Sequence, residues 1–133
     1  MARYVIDAPT LLRLVADDID VDPAHRLVAP NRIRSDALSL LLAAVNRDEI
    51  TEELALHQHE RLTETKMRLL GDRVSRRTAW NLAREHGWES IGTAEYLAVC
   101  LLQADALITI DPELARLATG IVALASLDDV IAE

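Results

Sequence analysis

Arg3-Tyr4-Val5-Ile6-Asp7 opens the chain with a short apolar run that ends abruptly in a carboxylate. Strands of a parallel sheet are buried on both faces, so they read as apolar runs rather than as alternating patterns. Ligands of such sheets sit in the crevice beyond the carboxyl ends of the strands. An acid at the end of this run is therefore aimed at a crevice. Ala106-Leu107-Ile108-Thr109-Ile110-Asp111 repeats the pattern. Two strands that each deliver an Asp at the tip define an acidic pocket in need of a cation.

Between these runs, helical and strand-like stretches alternate. Pro9 stands where a helix can begin, since its missing N–H costs nothing there. Leu11, Leu12, Leu14 and Val15 give that helix its apolar stripe. Asp17, Asp18, Asp20 and Asp22 lack the glycine and closing Glu of a calcium loop and read as a solvated connection. His25 to Pro30 reads as a second strand, with Asn31 capping a helix through Ser35, Leu38, Leu41 and Val45. Asp36 lies early in that helix among small and apolar neighbours, an awkward setting for a charge without a partner.

A long helix is expected from Thr51 to about Leu70, capped by Gly71, and another from Ser75 to Gly87. Together they predict a basic helical hairpin over about 51–87. His57 and His59 are two residues apart, about 200° around a helix, and cannot share a metal. Trp88 to Ile91 reads as a short strand broken by Gly92, with Thr93 as N-cap of an apolar helix from Ala94 to Gln103. After the strand ending at Asp111 come a short helix from Pro112 and a strand Ile121–Leu124. Ser126 caps a terminal helix, Leu127 to Ala132. This order predicts an α/β protein: a three-layer α/β/α sandwich around a central, mostly parallel sheet of four or five short strands.

Composition narrows the possibilities. With 133 residues, the chain is expected to form a single domain over 1–133. The core is aliphatic, since the chain has no Phe and only two Trp and two Tyr. Cys100, alone in an apolar run, reads as a small core residue rather than a nucleophile. No apolar stretch approaches the ~20 residues of a membrane span, and no secretory signal is evident. A soluble, cytoplasmic protein is the expectation. The net charge of −8 opposes nucleic-acid binding at first sight. Yet from Arg61 to Arg84 seven basic residues face only Glu64 and Asp72, a local balance of +5. Arg68, Arg73, Arg76 and Arg77 lie within this stretch and suit bidentate contact with phosphate, or simply form a solvated face.

Four strings spaced along the chain carry a resemblance. They are Tyr4-Val5-Ile6-Asp7-Ala8, Ala29-Pro30 before Arg34-Ser35-Asp36-Ala37-Leu38, Thr93-Ala94-Glu95-Tyr96-Leu97-Ala98, and Ala106 to Asp111. In order and length they resemble a PIN domain, and most closely a VapC-type toxin ribonuclease. The resemblance implies a metal-dependent endoribonuclease whose acidic cluster holds Mg²⁺ or Mn²⁺ and cleaves structured RNA, commonly transfer or ribosomal RNA. It also implies a homodimer silenced by a VapB-like antitoxin. By position, Asp7 matches the family's first acid and Asp111 its fourth. Asp36 stands where the family usually has Glu. Thr93 stands where it usually has a third Asp, with Glu95 the nearby carboxylate.

The resemblance thus names Asp7, Asp36, Asp111 and Glu95 as catalytic and metal-binding residues, with Thr10 and Thr93 as hydroxyls behind them. Crowded carboxylates without metal repel, so at least one pKa is expected to rise. The alternative is a catalytically weakened PIN domain that binds antitoxin or RNA without cutting, and the Thr93 departure is its main support.

Overall fold

Strand β1 (Arg3–Ile6) takes the centre of the sheet, as its two-sided burial requires. In the computed structural model, which describes residues 1–132, it pairs with β2 (Arg26–Pro30) on one side and β4 (Ala106–Ile108) on the other. The edges are β3 (Arg68–Leu70), beside β2, and β5 (Leu124–Ala125), beside β4. The order is β3-β2-β1-β4-β5 and all four pairings are parallel. The expected α/β class, layering and parallel sheet are those observed.

Among the described residues, six helices flank the sheet: α1 (Ala8–Ala16), α2 (Ile33–Asn46), α3 (Glu52–Glu64), α4 (Arg73–His86), α5 (Ile91–Gln103) and α6 (Pro112–Ala118). Helices α1, α2 and α3 pack on one another, while α5 lies on β1, β2 and β4 with α4 alongside. Val5, Ile6, Val28, Ala29, Leu107 and Ile108 of the strands are buried with Leu11 of α1 and Leu97 and Val99 of α5. Ala94 and Tyr96 through Cys100 are all buried, so α5 is enclosed over most of its circumference. Burial, with a smaller effect from Asp105, pushes the Cys100 thiol up to about 11, which suits packing rather than nucleophilic attack. Among the described residues, no helix is long and apolar enough to cross a membrane.

Several boundaries depart from expectation for identifiable reasons. The helical hairpin over 51–87 is not formed. Helix α3 stops at Glu64, and Arg68–Leu70 joins the sheet as edge strand β3 before α4 begins. Three residues are too few to show a period of two, and only pairing with Val28–Pro30 makes them a strand. Gly71 caps no helix. A Cβ there would come within 2.1 Å of Asn31 Nδ2, so the glycine permits a close passage between neighbouring chain segments. Asn31 caps nothing either: its N–H donates to the Leu70 carbonyl at 2.8 Å, and Arg32 takes the cap position without a side-chain bond.

Trp88–Ile91 is no strand. Ser90 is the N-cap of α5, its hydroxyl accepting from Gly92 N at 3.2 Å, so Thr93 lies inside the first turn. His25 precedes β2 and packs edge-on against Tyr4. Strand β4 ends at Ile108, short of Asp111, and Ile121–Val122 form a turn onto the Ala118 carbonyl. The terminal segment closes as one 3-10 turn, Leu127–Val130, beyond which Ile131 bridges to Val21.

Candidate acidic site

The chain leaves β1 toward β2 on one side and reaches β4 on the other, so the sheet's switch point lies between β1 and β4. Side chains following these two strands meet there. Asp7 follows β1 directly and is the N-cap of α1. Its Oδ1 accepts from the Thr10 amide at 3.3 Å and from the Thr10 hydroxyl, and its Oδ2 accepts from the Thr109 hydroxyl at 2.6 Å. Thr109 follows β4, and its Oγ1 in turn accepts from the Asp111 amide at 3.0 Å. The Thr10 hydroxyl likewise accepts from the Ile110 amide at 3.1 Å. Two threonines therefore tie the start of α1 to the loop that carries Asp111.

Asp7 is only 3% exposed. Burial raises its pKa above the ordinary 3.8, against the lowering effect of hydrogen bonds from Thr10 and Thr109. The expected rise is present, but its cause is loss of water rather than repulsion between neighbouring acids. Asp111 is half-buried and is the N-cap of α6, accepting from Glu113 N at 3.0 Å. It lies three residues beyond the end of β4 rather than at the strand's tip.

Asp36 and Glu95 form the second part of the site. Asp36, in the first turn of α2, accepts from Arg32 Nε at 2.9 Å and from the Tyr96 hydroxyl at 2.8 Å. Glu95, in α5, accepts from Arg32 Nη1 at 3.3 Å. The awkward charge at Asp36 thus has its partner one helical turn away. Arg32 is held well charged, first by its bond to Asp36 and then by Glu95, although burial opposes this. Burial, and after it Asp36, pushes the Tyr96 hydroxyl far above its usual range, and the Asp7 charge acts in the same direction. Tyr96 thereby feels both halves of the site.

Of the four carboxylates named from sequence, Asp36 and Glu95 are gathered around Arg32, whereas Asp7 is tied through the Thr109 hydroxyl to the backbone amide of Asp111, whose own carboxylate caps α6. Thr10 touches Asp7, whereas Thr93 sits two residues before Glu95 with no polar contact to any of the four acids. Three participants were not named from sequence. Arg32 could have been found from its i,i+4 spacing to Asp36. Tyr96 could have been found as a buried aromatic whose hydroxyl needs a partner. Thr109 carries no comparable local signal.

Hard divalent cations take oxygen ligands, and these carboxylates are of that kind. Their spacing is less complete: among the described residues, no three His, Cys, Asp or Glu side chains are gathered as a metal-binding group. Asp36 and Glu95 are instead neutralised by Arg32, whose side chain is 39% exposed beside partners at 28% and 21%. At such exposure an ion pair is worth at most about 1 kcal/mol, so this arrangement is open to exchange.

Beside the acids, a small cavity of about 70 Å³ is lined by Arg32, Glu95, Gly71 and Arg76 among others. Arg76 also lines a shallow surface groove with Arg73, Arg77 and Trp80. One residue therefore joins the acidic site to the basic groove. Arg68, on β3, lies outside both.

No family model matches the sequence, and neither does any curated protein. Among solved structures, the chain is similar to the crystal structure of PAE2754 from Pyrobaculum aerophilum, with a TM-score of 0.73 and 20% identity. The match covers 96% of this chain and 91% of that one. At that identity the likeness is one of fold.

Proposed function

We propose that the chain is a metal-dependent endoribonuclease of the PIN type, resembling the VapC toxins. The observation that carries this reading is the bridge at the sheet's switch point, from the Asp7 carboxylate through the Thr109 hydroxyl to the backbone amide of Asp111, together with Asp36 held by the Tyr96 hydroxyl. Asp7, Asp36 and Asp111 are the proposed ligands, with Glu95 beside them. The chemistry that Mg²⁺ or Mn²⁺ would supply there is activation of water and neutralisation of charge on the scissile phosphate. Thr10 and Thr109 fix the Asp7 carboxylate, so its orientation costs no reorganisation when substrate arrives. Arg73, Arg76 and Arg77 neutralise flanking phosphates, and Arg76 lines the same cavity as Glu95. The substrate is structured RNA of the transfer or ribosomal kind. A VapB-like antitoxin and a second copy of the chain are the proposed partners, and the cytoplasm the proposed location.

A second reading has its own support. Arg32 between Asp36 and Glu95, together with Thr93 in place of a third acid, favours a PIN-type module that binds antitoxin or RNA without cutting. Incubation of the purified protein with total RNA and Mn²⁺, beside an Asp7→Asn variant, separates the two. The nuclease cuts only with metal, and the variant loses at least ~100-fold of the rate. RNA binding without cutting in the unmodified protein would decide for the module.

A further inference from the structure

The guanidinium of Arg32 bridges two carboxylates from different elements, Asp36 of α2 at 2.9 Å and Glu95 of α5 at 3.3 Å. Its place is shaped by the backbone. Gly92 lies in the first turn of α5, and a Cβ on it would stand 3.0 Å from Arg32 Nη1 and 3.3 Å from Cζ. A glycine costs helix stability relative to alanine, and here its missing methyl makes room for the cation. Asp36 has a second donor in Tyr96, but a neutral hydroxyl cannot offset the repulsion between two acids. Arg32 supplies that charge.

We infer that Arg32 is a built-in cation that neutralises Asp36 and Glu95 in place of a divalent metal and lowers the site's affinity for one. The inference rests on the metal-dependent reading above and adds a residue that sets metal affinity. Arg32 engages one oxygen of each carboxylate, Asp36 Oδ2 and Glu95 Oε2, and sets a positive charge beside both. A divalent metal at these acids meets that charge, so Arg32 weakens apparent affinity by electrostatic competition. Its long side chain is already 39% exposed, which gives it water to move into. Arg32 acts through Asp36 and Glu95 and is thus a positioning residue.

The test is calorimetric titration of the full chain with MnCl₂ at fixed ionic strength, for the unmodified protein, Arg32→Gln and Gly92→Ala. Gln keeps much of the stem and removes the charge. The Gly92→Ala methyl presses on the guanidinium, which must shift by a few tenths of an ångström, and covers the case in which Arg32→Gln does not fold, as judged by circular dichroism. Arg32→Gln is expected to bind Mn²⁺ about five- to tenfold more tightly, with a smaller gain for Gly92→Ala. Without metal the Arg32→Gln thermal midpoint falls, and saturating Mn²⁺ raises it by more than it raises the unmodified protein. A gain of Mn²⁺ binding in Arg32→Gln where the unmodified protein binds none also supports the inference. Equal or weaker affinity in both variants overturns it and leaves the nuclease reading standing, whereas no binding in any of the three proteins overturns both.

Discussion

Asp7 couples the site to stability. Its carboxyl titrates above 3.8 in the folded chain because burial disfavours its charge. Below 3.8 both folded and unfolded states hold the proton. Between 3.8 and the raised native value the folded state alone holds it, so stability falls as pH rises through that window. Above the window, the protein carries a buried charge that two threonines only partly offset. Asp7→Asn removes this burden while keeping a side chain that caps helices well. We predict that, without metal, the variant melts above the unmodified protein at pH 7. The gap should close as pH falls toward 3.8, and a variant less stable at neutral pH would contradict this account. The same residue shows how much of the site was readable in sequence. An apolar run ending in Asp marks Asp7 because the signal is local. Thr109 lies 102 residues from Asp7 and Arg32 lies 63 residues from Glu95, so these contacts exist only in the folded chain and no sequence spacing reports them.

Elements were legible where their own residues determine them. Strand β1, helix α1 and the stop of α4 at Gly87 follow from an apolar run, a proline at the start and a glycine at the end. Gly87 has φ 71°, and the Trp88 amide bonds the Ala83 carbonyl at 2.9 Å to close the helix. Gly87→Ala keeps open space around the new methyl but strains the backbone, at a cost of about 1 kcal/mol. The expected outcome is a thermal midpoint lower by about 3–5 °C, with Mn²⁺ affinity unchanged. An unaltered midpoint would mean that this turn relaxes without strain. Strand β3 behaves differently. Arg68-Leu69-Leu70 continues the helical pattern of the preceding residues, and only β2 at its side makes it a strand. The start of α5 at Ile91 is equally hidden from local sequence. Gly92 looks like a breaker, yet it sits inside the helix that Ser90 caps, with the Arg32 guanidinium close to where a Cβ would stand.

Over the whole molecule, the charge of −8 and the basic groove act at different ranges. Exposed charges farther apart than a Debye length of about 8 Å are screened at physiological salt, so a bound strand responds chiefly to nearby side chains. Arg73, Arg76 and Arg77 line the proposed RNA groove together with Trp80, which is 59% exposed. Each arginine that neutralises a phosphate releases counterions, and for single strands each contributes about 0.7 to the slope of log affinity against log salt. Alanine at Arg73, Arg76 or Arg77 should therefore lower that slope by about this amount, whatever the RNA sequence. Trp80→Ala should act in another way, since stacking on a base releases no counterions. It should weaken binding by about 1–3 kcal/mol while leaving the slope unchanged. Fluorescence anisotropy of a labelled single-stranded RNA at several salt concentrations, with Ca²⁺ in place of Mn²⁺ to suppress cutting, measures both quantities. Should the arginine variants keep the full slope, the groove is not where RNA runs, and the basic stretch is a solvated face. Loss of slope at Arg76 together with loss of affinity at Trp80 would instead trace the strand from the groove toward Glu95 and the acids beyond it.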